Sequence, residues 1–136
     1  MRFLASPRHM LSVVIAAAAL TVPAVAQTPA LAMLDGLERG QWVLRDRDNP
    51  AGTHSYCVTD FRTLLQLQHP RAQCTRTVLE NTATAVTVHY TCPGAGHGRT
   101  SIRRETARLI QIDTQGIAGG APFSMAYEGR KTGTCG

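Results

Sequence analysis

The stretch Thr84-Ala85-Val86-Thr87-Val88-His89-Tyr90-Thr91-Cys92 decides the fold of this chain. Its larger apolar residues recur at every second position, so Val86, Val88 and Tyr90 share one face of an extended strand together with Cys92. Threonine, alanine and histidine occupy the alternate positions. This period of two indicates a half-buried antiparallel strand with one face on a core and the other towards solvent.

Short β-prone segments separated by turn residues lie on both sides of this strand. We predict further strands at 41–45, 54–58, 75–79, 99–104, 107–113 and 123–128, with loops at 93–98 and 116–120. Successive short strands joined by turns are typical of an antiparallel meander. The predicted fold class is therefore mainly β, a meander that forms a curved sheet or a partly open barrel with one short helix.

The predicted helix lies between the second and third strands. Its apolar face follows the i, i+3, i+4, i+7 spacing at Phe61, Leu64, Leu65 and Gln68. Thr59 is the expected N-cap, and the helix should end at His69 because the residue before Pro70 is pushed out of the helical region. A helix this short needs a partner surface, so its apolar stripe should dock on the sheet.

The N-terminal sequence has the pattern of a secretory signal. Arg2 and Arg8 precede an uncharged apolar run at 11–22, and the small residues Ala24-Val25-Ala26 follow. The alternative, a transmembrane anchor, needs roughly 20 apolar residues, and this run is shorter. We predict a signal peptide over 1–26, a flexible tail over 27–36 and a single domain over 37–136.

The cysteine count predicts two disulfides. Cys57, Cys74, Cys92 and Cys135 form an even set in a small exported domain, and none has the spacing of a metal site. Cys74 and Cys92 flank the predicted central hairpin, where opposite Cβ atoms lie roughly 4.5–5.5 Å apart, which favours Cys74–Cys92 and Cys57–Cys135. The competing set is Cys57–Cys74 with Cys92–Cys135.

Charge limits the range of partners. Removing Arg2 and Arg8 with the signal lowers the Lys and Arg count from 14 to 12, against 9 Asp and Glu, and leaves a net charge of +3. This excess is too small to indicate nucleic-acid binding. We expect no membrane span after signal cleavage, and a monomer.

Several landmarks together resemble a bacterial exported family known as domain of unknown function 3617. They are Gly40-Gln41-Trp42, Cys57-Val58-Thr59, the hairpin between Cys74 and Cys92, and Gly133-Thr134-Cys135. The resemblance spans about residues 34–135, and its motifs are structural. It implies a Gram-negative periplasmic protein and supplies no enzyme activity, substrate or cofactor.

The sequence predicts no catalytic, cofactor or metal site. Its histidines form no H-x-H or H-E-x-x-H pattern; we expect His89 to be an exposed strand residue and His97 a loop residue. The glycine-rich segment 94–98 precedes a strand, whereas a phosphate loop opens a helix, so we interpret it as a linker. Serines lack a companion base, and paired carboxylates for glycoside hydrolysis are invisible in sequence.

Four arginines gather around one predicted turn and form the only candidate ligand patch: Arg99, Arg103, Arg104 and Arg108. They could hold an anionic ligand or an acidic protein; alternatively they keep a hairpin edge soluble and unpaired. Trp42, the sole tryptophan, is expected in the core.

The predicted function is a non-enzymatic periplasmic domain that binds an envelope protein or a small apolar or anionic ligand. The alternative is a cell-wall hydrolase or an inhibitor of one. A pocket that pairs two carboxylates would favour the enzyme, and a protruding rigid loop would favour the inhibitor.

Overall fold

The computed structural model describes Pro23 and residues 29–136. Its helices are α1 (Ala32–Asp35) and a 3-10 helix (Phe61–Gln66), and its strands are β1 (Gly40–Asp46), β2 (Thr53–Val58), β3 (Thr75–Asn81), β4 (Ala85–Cys92), β5 (Gly96–Thr106), β6 (Leu109–Ala118) and β7 (Ala121–Gly133). The predicted signal peptide and its cleavage after Ala26 fall, apart from Pro23, outside the described residues.

All seven strands form one antiparallel sheet with the order β2-β1-β7-β6-β5-β4-β3. Strands β3 to β7 are a meander, and the β1–β2 hairpin joins the far side of β7. Strands β2 and β3 are the two edges, so the sheet is open. The predicted fold class is confirmed, except that the described residues contain two short helices where we predicted one.

The central strand β4 has the predicted two faces. Val86, Val88, Tyr90 and Cys92 are buried, whereas His89 and Thr91 are exposed. Val86 and Val88 belong to one apolar core that also contains the buried residues of both helices. We call this side of the sheet the helix face and the opposite side the outer face.

The segment 27–36 is not the flexible tail that we predicted. Residues 32–35 form α1, and Leu31, Met33 and Leu34 are buried in the core together with Leu37. The three leucines recur at every third position, so one side of this helical turn is apolar and covers the helix face beside β4. Residues 27 and 28 lie outside the described part of the chain.

The helix after β2 has the predicted apolar face but a different start and geometry. Phe61, Leu64 and Leu65 are buried, yet the element is a 3-10 helix and ends at Gln66. Its N-cap is Asp60 rather than Thr59, because the Asp60 carboxylate accepts a hydrogen bond from the backbone N–H of Arg62 at 2.9 Å.

The glycine-rich segment 93–98 is only half a loop. Residues 93–95 make the turn, and β5 already begins at Gly96. A Cβ at Gly98 would lie 2.5 Å from the Tyr90 hydroxyl, and Gly96 has a φ of +130° close to the backbone of β6. These glycines therefore give room to buried neighbours, and the linker interpretation is wrong. The predicted loop at 116–120 is likewise shorter, because β6 extends to Ala118.

Both disulfides have the favoured pairing. Cys57–Cys135 joins Cα atoms 5.5 Å apart, and Cys74–Cys92 joins Cα atoms 4.2 Å apart. The first ties β2 to the segment after β7, and the second closes the base of the β3–β4 hairpin. All four cysteines are thereby used.

A buried polar cluster lies on the helix face beside the glycines. His69 Nδ1 is 3.1 Å from the Tyr90 hydroxyl, and His69 Nε2 is 3.1 Å from the carbonyl oxygen of Ala95. Because a carbonyl can only accept, His69 Nε2 is the donor there, and Nδ1 accepts the hydrogen bond from the Tyr90 hydroxyl. Thr100 and Thr114 share a buried hydrogen bond of 2.7 Å nearby. These contacts satisfy a core histidine and indicate a structural role.

Burial raises the pKa of the Tyr90 phenol above 10.0. The folded state therefore favours the neutral phenol, and this stabilisation is complete below pH 10.0 and is lost as the pH rises through the higher folded value. We expect Tyr90→Phe to lower stability near neutral pH, through loss of the His69 contact, but to make the alkaline decline less steep. Urea unfolding followed across the alkaline range measures that slope. Tyr56→Phe, on edge strand β2, is the control and should leave the slope unchanged; equal slopes in all three proteins would contradict the assignment.

Candidate functional site on the outer face

The outer face of β4 to β7 is the surface available for binding, because both helices pack on the other side. The strand register aligns its side chains in rows that cross the four strands. One row contains His89, Arg99, Gln115 and Ser124, which are direct cross-strand neighbours. Neighbouring strands lie roughly 4.8 Å apart, so these four side chains form one continuous line, which we call the central row.

The rows on either side of the central row differ in chemistry. Towards the glycine-rich turn, His97 and Ile117 are neighbours. In the other direction, Ser101 lies beside Asp113. The central row therefore has an imidazole and an apolar side chain at one flank and a hydroxyl and a carboxylate at the other.

Two surface clefts meet at the central row. The first has a volume of about 400 Å³, and its walls include His89, His97, Arg99, Gln115, Ile117 and Ser124. We call it the histidine cleft. The second has a volume of about 410 Å³, shares Arg99, Gln115 and Ser124 with the first, and adds Asp48, Ser101 and Asp113. We call it the aspartate cleft.

The histidine cleft is suited to an anion. No Asp or Glu of the described residues lines it, and Arg99 forms no ion pair within residues 29–136. The rings of His89 and His97 lie 6.0 Å apart, and His89 is the cross-strand neighbour of Arg99. A guanidinium, two imidazoles, an amide and a hydroxyl thus supply hydrogen-bond donors around one volume.

In the aspartate cleft the carboxylate of Asp113 and the hydroxyl of Ser101 are already engaged, whereas Asp48 and Arg99, which also line it, form no ion pair among the described residues. Asp113 forms an ion pair with Arg47, whose backbone N–H also donates to the carbonyl oxygen of Ala126 at 2.7 Å. Ser101 is 2.8 Å from the hydroxyl of Thr87, which donates to the Glu80 carboxylate at 3.0 Å. Ser101 therefore donates to Thr87, and this part of the outer face is internally satisfied.

The predicted four-arginine patch does not form, because strand geometry separates its members. Arg99 and Arg103 share the outer face of β5, but four residues separate them along the strand, and Arg103 pairs with Glu105 at 3.5 Å. Arg104 is half-buried on the helix face beside Gly36. Arg108 lies in the β5–β6 turn and pairs with Glu38 at 3.6 Å. Only Arg99 contributes to the clefts.

The other side chains considered from sequence have structural positions. Trp42 is fully buried and packs edge-on against Phe61 with ring centroids 5.2 Å apart, so its predicted core position is confirmed. His54 lies on edge strand β2 near Tyr56 and Tyr127. Among the described residues, no group of three or more His, Cys, Asp or Glu side chains could hold a metal ion.

Sequence reasoning missed the central row because its members come from four strands. His89 was read alone as an exposed strand residue, which the structure confirms, and His97 was read as a loop residue, which is wrong because it lies in β5. The signal that could have found the row is the hairpin register, but the β5–β6 turn at 107–108 alone would place Arg99 opposite Gly116. The register shift between Arg104 and Thr106 moves Arg99 opposite Gln115.

None of the helices within residues 29–136 has the length and apolar character needed to cross a bilayer. A scan against protein-family models, a search of the curated proteins and a search of the solved structures each find no match for this chain.

Proposed function

We propose that this chain is an exported, non-enzymatic binding domain of the bacterial periplasm that holds an anionic ligand in the histidine cleft. The observation that carries the proposal is Arg99, which lies in a cleft with two histidines and no carboxylate and has no acidic partner among the described residues. Six of the ten other arginines within residues 29–136 are paired with Glu or Asp. An unpaired guanidinium among further donors favours an oxyanion.

Export is supported by two independent features. Residues 1–26 have the composition of a secretory signal. Two disulfides tie the β domain together, and such bonds persist in oxidising compartments. The resemblance to domain of unknown function 3617 also implies the periplasm, and this assignment stays part of the proposal.

The anion site is tested by substituting Arg99→Gln. Backbone amide shifts in an NMR titration with phenyl phosphate and with benzoate should map to the central row, whereas neutral benzyl alcohol should leave it unmoved. Hydrogen bonds to charged groups contribute roughly 1.5–3 kcal/mol, so Arg99→Gln should weaken the binding of both anions at least about tenfold.

Arg103→Gln is the matched control, because Arg103 lies on the same strand and face but pairs with Glu105. It should bind both anions like the unmodified protein. Equal dissociation constants for the Arg99→Gln variant and the unmodified protein would refute the site, as would shifts confined to the helix face.

A second candidate function is cell-wall hydrolysis, which one observation favours: Asp48 and Asp113 line the same cleft. Paired carboxylates are the machinery of glycoside hydrolysis. However, the Asp113 side chain is 60% exposed and is paired with Arg47, and a general acid needs an environment that retains its proton. Incubation with purified peptidoglycan should therefore release no fragments. Release that is abolished by Asp113→Asn would instead establish the hydrolase.

A further inference from the structure

We infer that the histidine cleft selects a phosphoryl group attached to an apolar moiety and binds it more tightly as the pH falls. This inference rests on the proposed anion site and names its ligand class. The features that carry it are the number of donors around the cleft, the apolar side chain of Ile117 at its rim and the two neighbouring histidines.

The number of donors exceeds what a carboxylate can accept. A carboxylate offers two oxygens in one plane with about four acceptor sites, and a guanidinium already occupies two of these with parallel bonds. Beyond Arg99, the cleft also presents His89, His97, Gln115 and Ser124. A phosphoryl group has three acceptor oxygens that point in different directions, so it can use Arg99 and the side chains on both sides of it at once.

One apolar side chain borders the same cleft. Ile117 is the cross-strand neighbour of His97 on the outer face and is half-buried, whereas the Phe123 ring lies on the helix face, 6.1 Å from the His69 ring. A ligand whose phosphoryl group lies on Arg99 can therefore place an apolar portion against Ile117, and burying that portion adds affinity.

The charges that surround the histidine pair are few. Strand β3 presents Thr77 opposite His89, β6 presents Gln115, and β7 presents Ser124. The adjacent charged groups are Arg99 in the central row, Glu80 with Thr87, and Asp113 with Arg47 in the next row. Asp113 is paired with a cation and Glu80 accepts only a hydroxyl, but neither carboxylate lines the histidine cleft.

Protonation of the histidine pair therefore adds positive charge next to Arg99. Histidine is the side chain that ordinarily changes charge between about pH 5 and 8. Because no carboxylate of the cleft neutralises the added charge, it strengthens the attraction for an anion. We expect an anion of constant charge to bind about fivefold more tightly near pH 5.5 than near pH 7.5.

Isothermal titration calorimetry with matched probes tests each part of the inference. Phenyl phosphate and benzoate share a ring and differ in the anion; phenyl phosphate should bind about tenfold more tightly. Inorganic phosphate lacks the ring and should bind more weakly than phenyl phosphate. Equal affinities of the two would show that the apolar portion of the ligand contributes nothing to binding. Phenyl sulfate has one charge across the whole range, so its pH dependence reports the protein alone.

The source of the phosphoryl group is distinguished by a lipid probe. Dihexanoyl phosphatidic acid, used below its micelle concentration, has a phosphate monoester with two acyl chains. Binding tighter than that of phenyl phosphate identifies a lipid headgroup as the ligand source, and weaker binding identifies a small soluble phosphate ester. Both results support the inference.

Two histidine variants complete the test. The double variant His89→Gln with His97→Gln should lose the tightening of phenyl sulfate binding at lower pH, whereas His54→Gln, on the remote edge strand β2, should keep that tightening. If benzoate and phenyl phosphate bind with equal affinity at both pH values while Arg99→Gln still abolishes binding, this inference is overturned. The proposed anion site would then remain intact. No binding of any anion at either pH would overturn both.

Discussion

Replacing Cys57 and Cys135 together by alanine is expected to lower the free energy of unfolding by about 4–5 kcal/mol. The bond closes a loop with a sequence separation of 78, against 18 for Cys74–Cys92. A longer loop restricts the unfolded chain more, so the second bond should contribute only about 3 kcal/mol. Both Cys57 and Cys135 are exposed, so the substitution leaves no core cavity and its cost arises mainly from the unfolded chain.

Urea unfolding followed by circular dichroism measures this difference. The matched comparison is the double alanine variant of Cys74 and Cys92, in which Cys92 is buried and adds a packing loss. We expect the Cys57–Cys135 variant still to be the less stable of the two. A loss below about 1 kcal/mol for that variant would show that the bond does not constrain the unfolded chain in this way.

Trp42→Ala is expected to cost about 3–5 kcal/mol of stability. The indole is fully buried, packs edge-on against Phe61 and donates a hydrogen bond from Nε1 to the Glu38 carbonyl oxygen at 2.9 Å. Its removal leaves a cavity between β1 and the 3-10 helix, and it also leaves a part-buried carbonyl without its donor. Because the 3-10 helix is too short to persist alone, we expect it to lose order in the variant.

Tyr56→Ala is the matched control for this substitution. Tyr56 is the cross-strand neighbour of Trp42 but is 39% exposed, so its truncation should cost about 1 kcal/mol or less. Trp42 is the only tryptophan, so unfolding must be followed by circular dichroism rather than by indole fluorescence. Equal losses in the two variants would show that Trp42 does not anchor the core.

The sheet could be predicted from the sequence because its strands carry local signals. The alternation at 84–92 indicates which side of β4 is buried, and the cysteines that flank the β3–β4 hairpin favour one disulfide and, by elimination, the other. The predicted ends of the helices and strands were less accurate. Thr59 and Asp60 are both good N-caps, and only the backbone path selects Asp60. Segment 32–35 is too short to show helical periodicity, and its burial depends on the sheet that it covers.

The candidate site could not be predicted, because its side chains meet only across strands. Arg99 and Arg103 are close in sequence and appeared to form one patch, yet Arg99 has its functional neighbours in His89 on β4 and Gln115 on β6. The register that creates these contacts depends on where each turn falls. Gly96 and Gly98 made this register hard to predict. Glycines so close together are typical of a loop, whereas here they allow close packing within a strand.

The position of β1 between β2 and β7 constrains the order in which the molecule can assemble. Leu44 pairs with Gly129, across most of the length of the domain, so β1 lacks its second neighbour until the last of the seven strands has been synthesised. Pairings between such distant segments raise the contact order and slow folding. The β3–β7 meander can therefore form first, and the β1–β2 hairpin can then dock on β7. The Cys57–Cys135 disulfide would form last and stabilise the completed fold.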